Sequence, residues 1–372
     1  MKKFLLAGSA LAGGLCFAGA AQAQITVTLG GYTEFFGAYY DDDRPDRTDR
    51  EFELETEVVI RADGKADNGL LYGTKIELQN STIGDGDARG IGTDEASVYL
   101  AGTWGRLELG DFDGAADTLK IYAPLIGIEQ IDGDFSDFTT ADDVFGAPPA
   151  FGVHIPNAGD ATKVMYLTPR IAGFQAGASY APEFDSQAQN VVQSDVSTGD
   201  DLYEDFLEFG LNYTGEFAGF GVALGGTYSM ADGKSGANVQ DFTAWNAGGQ
   251  VTFGGFAVGG GYVDADDFNA PADGSLTGDQ TVWHAGVSYT IGPIAVAASY
   301  ADAEGFKSNT VYASDYKSYG VGVAYTLAPG MVVQSDLMFI EEEVQSFDDT
   351  TGTTTTGSND GYVFILGARL DF

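Results

Sequence analysis

What most limits the folds open to this chain is the way its connections alternate in length. Segments of period-two hydrophobicity run from end to end with almost no 3.6-residue periodicity, so side chains alternate between the two faces of extended backbone. Sixteen such segments can be read, beginning with Ile25 to Tyr40, Arg50 to Ala62, Leu70 to Asn80, Asp94 to Ala101, Arg106 to Asp111, Lys163 to Thr168, Phe174 to Ala181 and Asp205 to Tyr213. The second eight are Phe220 to Met230, Ala244 to Phe253, Phe256 to Asp264, Thr281 to Thr290, Ile294 to Ala301, Ser318 to Leu327, Met331 to Glu341 and Tyr362 to Phe372. Short turns fall at 63–69, 102–105, 169–173, 214–219, 254–255, 292–293 and 328–330, and long acid-rich connections at 41–49, 81–93, 112–162, 182–204, 231–243, 265–280, 302–317 and 342–361. All long connections then lie on one side and both termini on the other. That is the topology of an all-β, 16-stranded antiparallel transmembrane barrel in a bacterial outer membrane. A soluble sandwich has no reason to keep such order.

The two faces of single segments agree. In Phe220 to Met230, Phe220, Val222, Leu224, Tyr228 and Met230 suit lipid, while Gly221, Ala223, Gly225, Thr227 and Ser229 suit a wet interior. Thr281 to Thr290 and Ile294 to Ala301 repeat the pattern. The last segment places Tyr362, Phe364, Leu366, Ala368, Leu370 and Phe372 on one face and Gly367, Arg369 and Asp371 on the other, although Val363 and Ile365 blur the alternation. Phe372 is read as the assembly signal of the closing strand, paired with the first segment.

Met1-Lys2-Lys3, the apolar stretch 4–20 and Ala21-Gln22-Ala23 read as a secretory signal peptide over residues 1–23, leaving 24–372 as one barrel domain. No other apolar run approaches the ~18 residues a spanning helix needs. Cys16, the only cysteine, lies in the leader, so the mature chain has no disulfide and no thiol for metal or nucleophilic chemistry. With 17 Lys and Arg against 55 Asp and Glu, the formal charge is −38, which excludes nucleic acid as a partner because phosphate binding needs a basic surface. Aromatic content of 13% argues against disorder. Glycine pairs such as Gly219/Gly221 lack the following helix that a phosphate-binding loop requires.

Residues 112–162 form the exceptional connection, and structureless loops of such length are usually functional. The apolar stretch 119–128 is expected to pack on the barrel wall, while Glu129, Asp132, Asp134, Asp137, Asp142 and Asp143 narrow the pore as a constriction loop. On the wall, Glu51, Glu53, Glu55 and Glu57 occupy the face opposite Phe52, Leu54 and Val58. Lys75 and Glu77 with Gln79, and Arg106 with Glu108, fall inward by the same parity. Basic groups facing lipid near the midplane would cost ~2–4 kcal/mol each.

Catalysis finds little support. His154, beside Pro156 in the long connection, and His284, expected alone in the lumen, have no local triad arrangement, so the chain is read as no enzyme and as needing no cofactor. Asp41-Asp42-Asp43 and Asp132-Gly133-Asp134 are candidate Ca2+ ligands because hard cations favour clustered carboxylates, but their spacing is not that of an EF-hand, and the identity of any metal is unknown.

The stretch 98–111, VYLAGTWGRLELGD, followed by Gly114-Ala115-Ala116-Asp117 and the long connection, resembles the strand, turn, strand and constriction-loop entry of Gram-negative general diffusion porins of the alphaproteobacterial type. Residues 68–73, 163–169 and 173–182 are similar to further segments of that family. The resemblance implies a homotrimer in the outer membrane, contacting lipid and lipopolysaccharide, with passive flux of ions and small hydrophilic solutes. Family members commonly carry basic residues on the wall facing the loop. Here the four glutamates replace them, so cation selectivity is the expectation. A substrate-selective channel and a non-conducting structural or adhesin barrel with Ca-binding loops are the alternatives.

Overall fold

A computed structural model of the chain describes residues 25–43, 48–81, 90–124, 135, 138, 153–184, 186–197, 202–274, 279–305, 312–348 and 353–372. The leader lies outside the described residues. The strands are β1 (Thr26–Asp42), β2 (Arg50–Lys65), β3 (Leu71–Ser81), β4 (Gly90–Gly102), β5 (Gly105–Asp111), β6 (Thr162–Leu167), β7 (Phe174–Glu183) and β8 (Tyr203–Phe217). They continue as β9 (Phe220–Gly233), β10 (Phe242–Phe253), β11 (Phe256–Asp266), β12 (Asp279–Ile291), β13 (Ile294–Glu304), β14 (Tyr312–Ala328), β15 (Met331–Asp348) and β16 (Thr353–Asp371). Each is hydrogen-bonded to its sequence neighbours, and β16 returns to β1, closing an antiparallel barrel. Closure leaves no strand edge in lipid, where an unpaired backbone group costs several kcal/mol.

Local chemistry sets the short turns. Gly254 and Gly255, with φ of 56° and 96°, join the paired Phe253 and Phe256 through the left-handed conformations that a two-residue hairpin demands. Aromatic side chains then gird the outer face: Trp283 and Tyr300 at 4.9 Å, Tyr319 and Phe339 at 5.5 Å, and Phe256 and Tyr289 at 4.3 Å. Such cross-strand pairs contribute ~0.5–1.5 kcal/mol each.

The polar stretch 342–361 is not the long loop its sequence suggests. β15 and β16 stay paired from Glu341↔Asp360 out to Asp348↔Thr353. Once both faces of a strand are wet the alternation disappears, although the backbone ladder can continue. In the long connection, α1 (Ala115–Leu119) forms a short helix within what reads as loop. Val363 and Ile365 are fully buried because they face inward, not outward, in an apolar patch with Phe36, Met338 and Ile340.

Candidate pore and its constriction

The long connection enters the barrel. From Asp111, residues 112–124 run along the inner wall, and a second limb, residues 153–161, returns to β6. Ala116, Ala123, Val153, Ile155, Ala158 and Ala161 share one buried cluster with wall residues from β7 to β13, among them Phe206, Phe242 and Val263. Phe135 and Phe138 pack into the patch on β1, β15 and β16, so the connection reaches the opposite wall as well.

Glycine makes room for the outgoing limb. On the inner face Gly210 pairs with Gly177, and Gly248 with Gly225 and Gly261. A Cβ at Gly210 would lie 2.7 Å from Leu119 Cβ, and one at Gly248 would overlap the Ile121 carbonyl oxygen. The limb thus seats backbone against backbone. Its carbonyls take hydrogen bonds from the wall: Asn212 Nδ2 donates to Leu119 O at 3.3 Å and Gln250 Nε2 to Tyr122 O at 3.4 Å.

The limbs are joined by polar contacts that no local sequence pattern announces. Lys120 pairs with Asp117, and Lys120 Nζ and Tyr122 Oη lie 2.6 and 2.5 Å from His154 Nδ1. His284 is not alone in the lumen, because the Tyr122 ring stands edge-on over it at 5.4 Å and leaves it 2% exposed. Glu208, 1% exposed on β8, accepts hydrogen bonds from backbone amides of both limbs. Sequence reading passed over Glu208. The one local signal is a charged residue on the face opposite Leu207, Phe209 and Leu211, followed by the inward Gly210.

Carboxylates at the loop's root diverge. Asp113 keeps an exposed side chain, yet the surrounding protein displaces enough water, with the charges of Asp117, Asp160 and Glu95, to push it up to about 7. Burial raises Asp117 too, but hydrogen bonds from His154 and Lys120 and the Lys120 charge prevail and bring it to about 2. Asp160 is raised by burial and then by Asp94.

Register settles where the wall residues stand. Glu51, Glu53, Glu55 and Glu57 pair with Ala38, Phe36, Glu34 and Tyr32, on the inward face of β1. Glu55 accepts hydrogen bonds from Tyr32 and, at 2.9 Å, from Gln79. A bulge lets Asp94 and Glu95 of β4 both turn toward Glu77, since the ladder skips a residue there. Lys75 bridges Glu77 at 3.1 Å and also Glu95. Glu57, Glu77 and Asp94 bring carboxylate oxygens within 4.8 Å of one another. Arg106 pairs with Glu108 at 2.7 Å and lies 3.9 Å over the Tyr99 ring. Ser97 donates to Glu108 at 2.7 Å.

The structure adds Arg369, which reaches Glu34 and Asp371 at 3.0 Å each, and Arg61, inward opposite Lys75. Asp41 and Asp42 belong to β1, not to a loop, and as consecutive strand residues point to opposite faces. Glu129, Asp132, Asp134, Asp137, Asp142 and Asp143 all lie outside the described residues.

A closed transmembrane barrel with a connection folded into its lumen defines an outer-membrane channel. The model of the Gram-negative porin family matches residues 7–345, and the chain belongs to that family. Among solved structures, the anion-selective porin from Comamonas acidovorans is similar with a TM-score of 0.65 at 19% identity, covering 94% of this chain and 100% of that one. OmpT of Vibrio cholerae, in its trimer form, gives a TM-score of 0.62 at 14% identity over 94% and 99%. An E1M, A104W mutant of Rh. blastica porin gives 0.57 at 19% over 93% and 100%. No curated protein matches the chain.

Proposed function

We propose that this outer-membrane porin is a water-filled, cation-selective channel for passive diffusion of ions and small hydrophilic solutes, and that its role is transport without catalysis. The observation that carries the selectivity is the imbalance on the inner wall. Among the described residues, Lys75, Arg106 and Arg369 are each paired with carboxylates and Lys163 is engaged by the loop backbone, whereas Glu51, Glu53, Glu55 and Glu57 add a row of further acids beside Arg61. A charged ring in a narrow pore enriches counter-ions within the Debye length, ~8 Å at physiological salt. The Comamonas porin is described as anion-selective, but 19% identity speaks to the fold, whereas selectivity follows the side chains on the wall.

A homotrimer is the assembly we infer. The Vibrio relative is described as a trimer, and the family resemblance implies the same assembly. Contact of one outer face with a second copy leaves the remaining faces to lipid and lipopolysaccharide.

The test is a reversal potential in a KCl gradient across a planar bilayer. Potassium should be preferred, the preference should weaken toward 1 M salt, where the Debye length is ~3 Å, and it should fall when the four wall glutamates become glutamine. Chloride preference at low salt and neutral pH would overturn cation selectivity.

A further inference from the structure

The two limbs of the long connection meet at a buried pair of opposite charges. Glu208 projects inward from β8 and is 1% exposed, and Lys163 projects inward from β6 and is 3% exposed. Glu208 Oε2 accepts the amide of Ala116 on the outgoing limb at 3.0 Å, and Oε1 accepts that of Ala158 on the returning limb at 3.0 Å. Lys163 Nζ donates to the carbonyl oxygen of Phe112 on the outgoing limb and to that of Gly159 on the returning limb. The anion therefore binds one amide from each limb and the cation one carbonyl from each. Ser179 completes the joint, its hydroxyl donating to Glu208 Oε2 at 3.2 Å and accepting the Ala115 amide at 2.9 Å. Gly114 is small because a Cβ there would collide with the Glu208 carboxylate.

We propose that Glu208 and Lys163 form a two-charge staple across the neck of the loop, and that this staple sets how far the loop protrudes into the pore and how steadily it stays there. Both are positioning residues. Charge-assisted bonds are roughly twice as strong as neutral ones, and here they act on backbone, so the joint does not depend on the side chains of the limbs it holds. The Glu208 charge, together with those of Asp160, Asp113 and Glu95, offsets the burial of the Lys163 ammonium. Removing one leaves its partner buried with less compensation, which drives the neck open toward water, while removing both relieves that penalty but leaves the limbs joined by the Asp117, Lys120 and His154 contacts and by neutral ones.

The conductance arm of the test rests on the channel reading, and a labelling arm does not. Glu208→Gln, Lys163→Met and the double variant are made with and without Ala161→Cys, a reporter on the returning limb that is 1% exposed. Only forms that keep heat-modifiable gel mobility are compared, so that barrel assembly is held constant. With a charged, membrane-impermeant maleimide as probe, Cys at 161 should react slowly in the otherwise unchanged chain and many-fold faster in either single variant. The double variant should fall between them. In planar bilayers each single variant should lose the steady open level in favour of a higher, flickering current. Absence of stepwise current from the unaltered protein would sink the channel reading while leaving the labelling arm intact. Unchanged labelling, together with unchanged open-level noise in conducting single variants, would overturn the staple, as would single effects that simply add in the double variant.

Discussion

Asp113 and Asp117 share the root of the constriction loop yet titrate at opposite ends of the carboxylate range. Asp113 is raised from 3.8 to about 7, so the folded loop holds its proton more tightly than the unfolded chain, and this contribution to stability is present below 3.8 and lost as pH rises through about 7. Asp117 is lowered to about 2, so its contribution is present above 3.8 and lost as pH falls through about 2. Between 3.8 and about 7 Asp117 is already ionised, leaving Asp113, joined by the raised Asp160, to set the trend. Amide-exchange protection of Ala116 and Ala158, corrected for intrinsic rates, should therefore fall with rising pH across that window. Asp113→Asn should flatten the slope, and an equal slope in that variant would show that other groups set it. None of this could be read from the sequence, where Asp113 and Asp117 are two acids among 55. What separates them is Lys120 and His154, and His154 arrives from the far limb.

The strands were largely legible, because a membrane wall imposes opposite solvents on its two faces and so writes the period of two into the residues. Legibility fails where those solvents change. Val363 and Ile365 break the pattern because the loop's Phe135 and Phe138 make that part of the lumen apolar. β14, β15 and β16 outrun their sequence signal because both faces are wet beyond the membrane. The glycines of the inner wall were visible as strand residues but not as a seat for a loop. Gly248→Val should dislodge Ile121, lowering stability by ~1–3 kcal/mol as overpacking does, and should change single-channel conductance. Gly226 pairs with Ala247, and a Cβ there meets nothing closer than 3.7 Å, so Gly226→Val is the matched control. Equal effects of the two variants on heat-modifiable transition temperature and on conductance would show that the seat is unimportant.

For the whole molecule the decisive contact is the closure between its ends. Gly31 and Phe372 exchange both backbone hydrogen bonds, at 3.1 and 3.0 Å, and the ladder continues from Tyr32↔Asp371 to Asp42↔Gly361. Deleting Phe372 removes the last rung and an apolar side chain 40% exposed on the outer face. The truncated chain should reach the outer membrane in reduced amount, with less of the heat-modifiable form on gels. Normal insertion and mobility would count against Phe372 as the assembly signal.

By itself the sequence determined the strand number, the sidedness of the connections, the outward and inward faces, and the inward row of Glu51, Glu53, Glu55 and Glu57, because alternation and register follow from the backbone's own period once one face must meet lipid. Only the tertiary structure decided which charges cancel and what holds the loop. Arg369 meets Glu34 because the barrel closes, and Glu208 and Lys163 meet the limbs because β6 and β8 flank the place where the connection enters. Arg369 and Glu34, Glu208 and Ala158, and Lys163 and Phe112 stand far apart along the chain, and no local pattern encodes contacts that only the folded barrel creates.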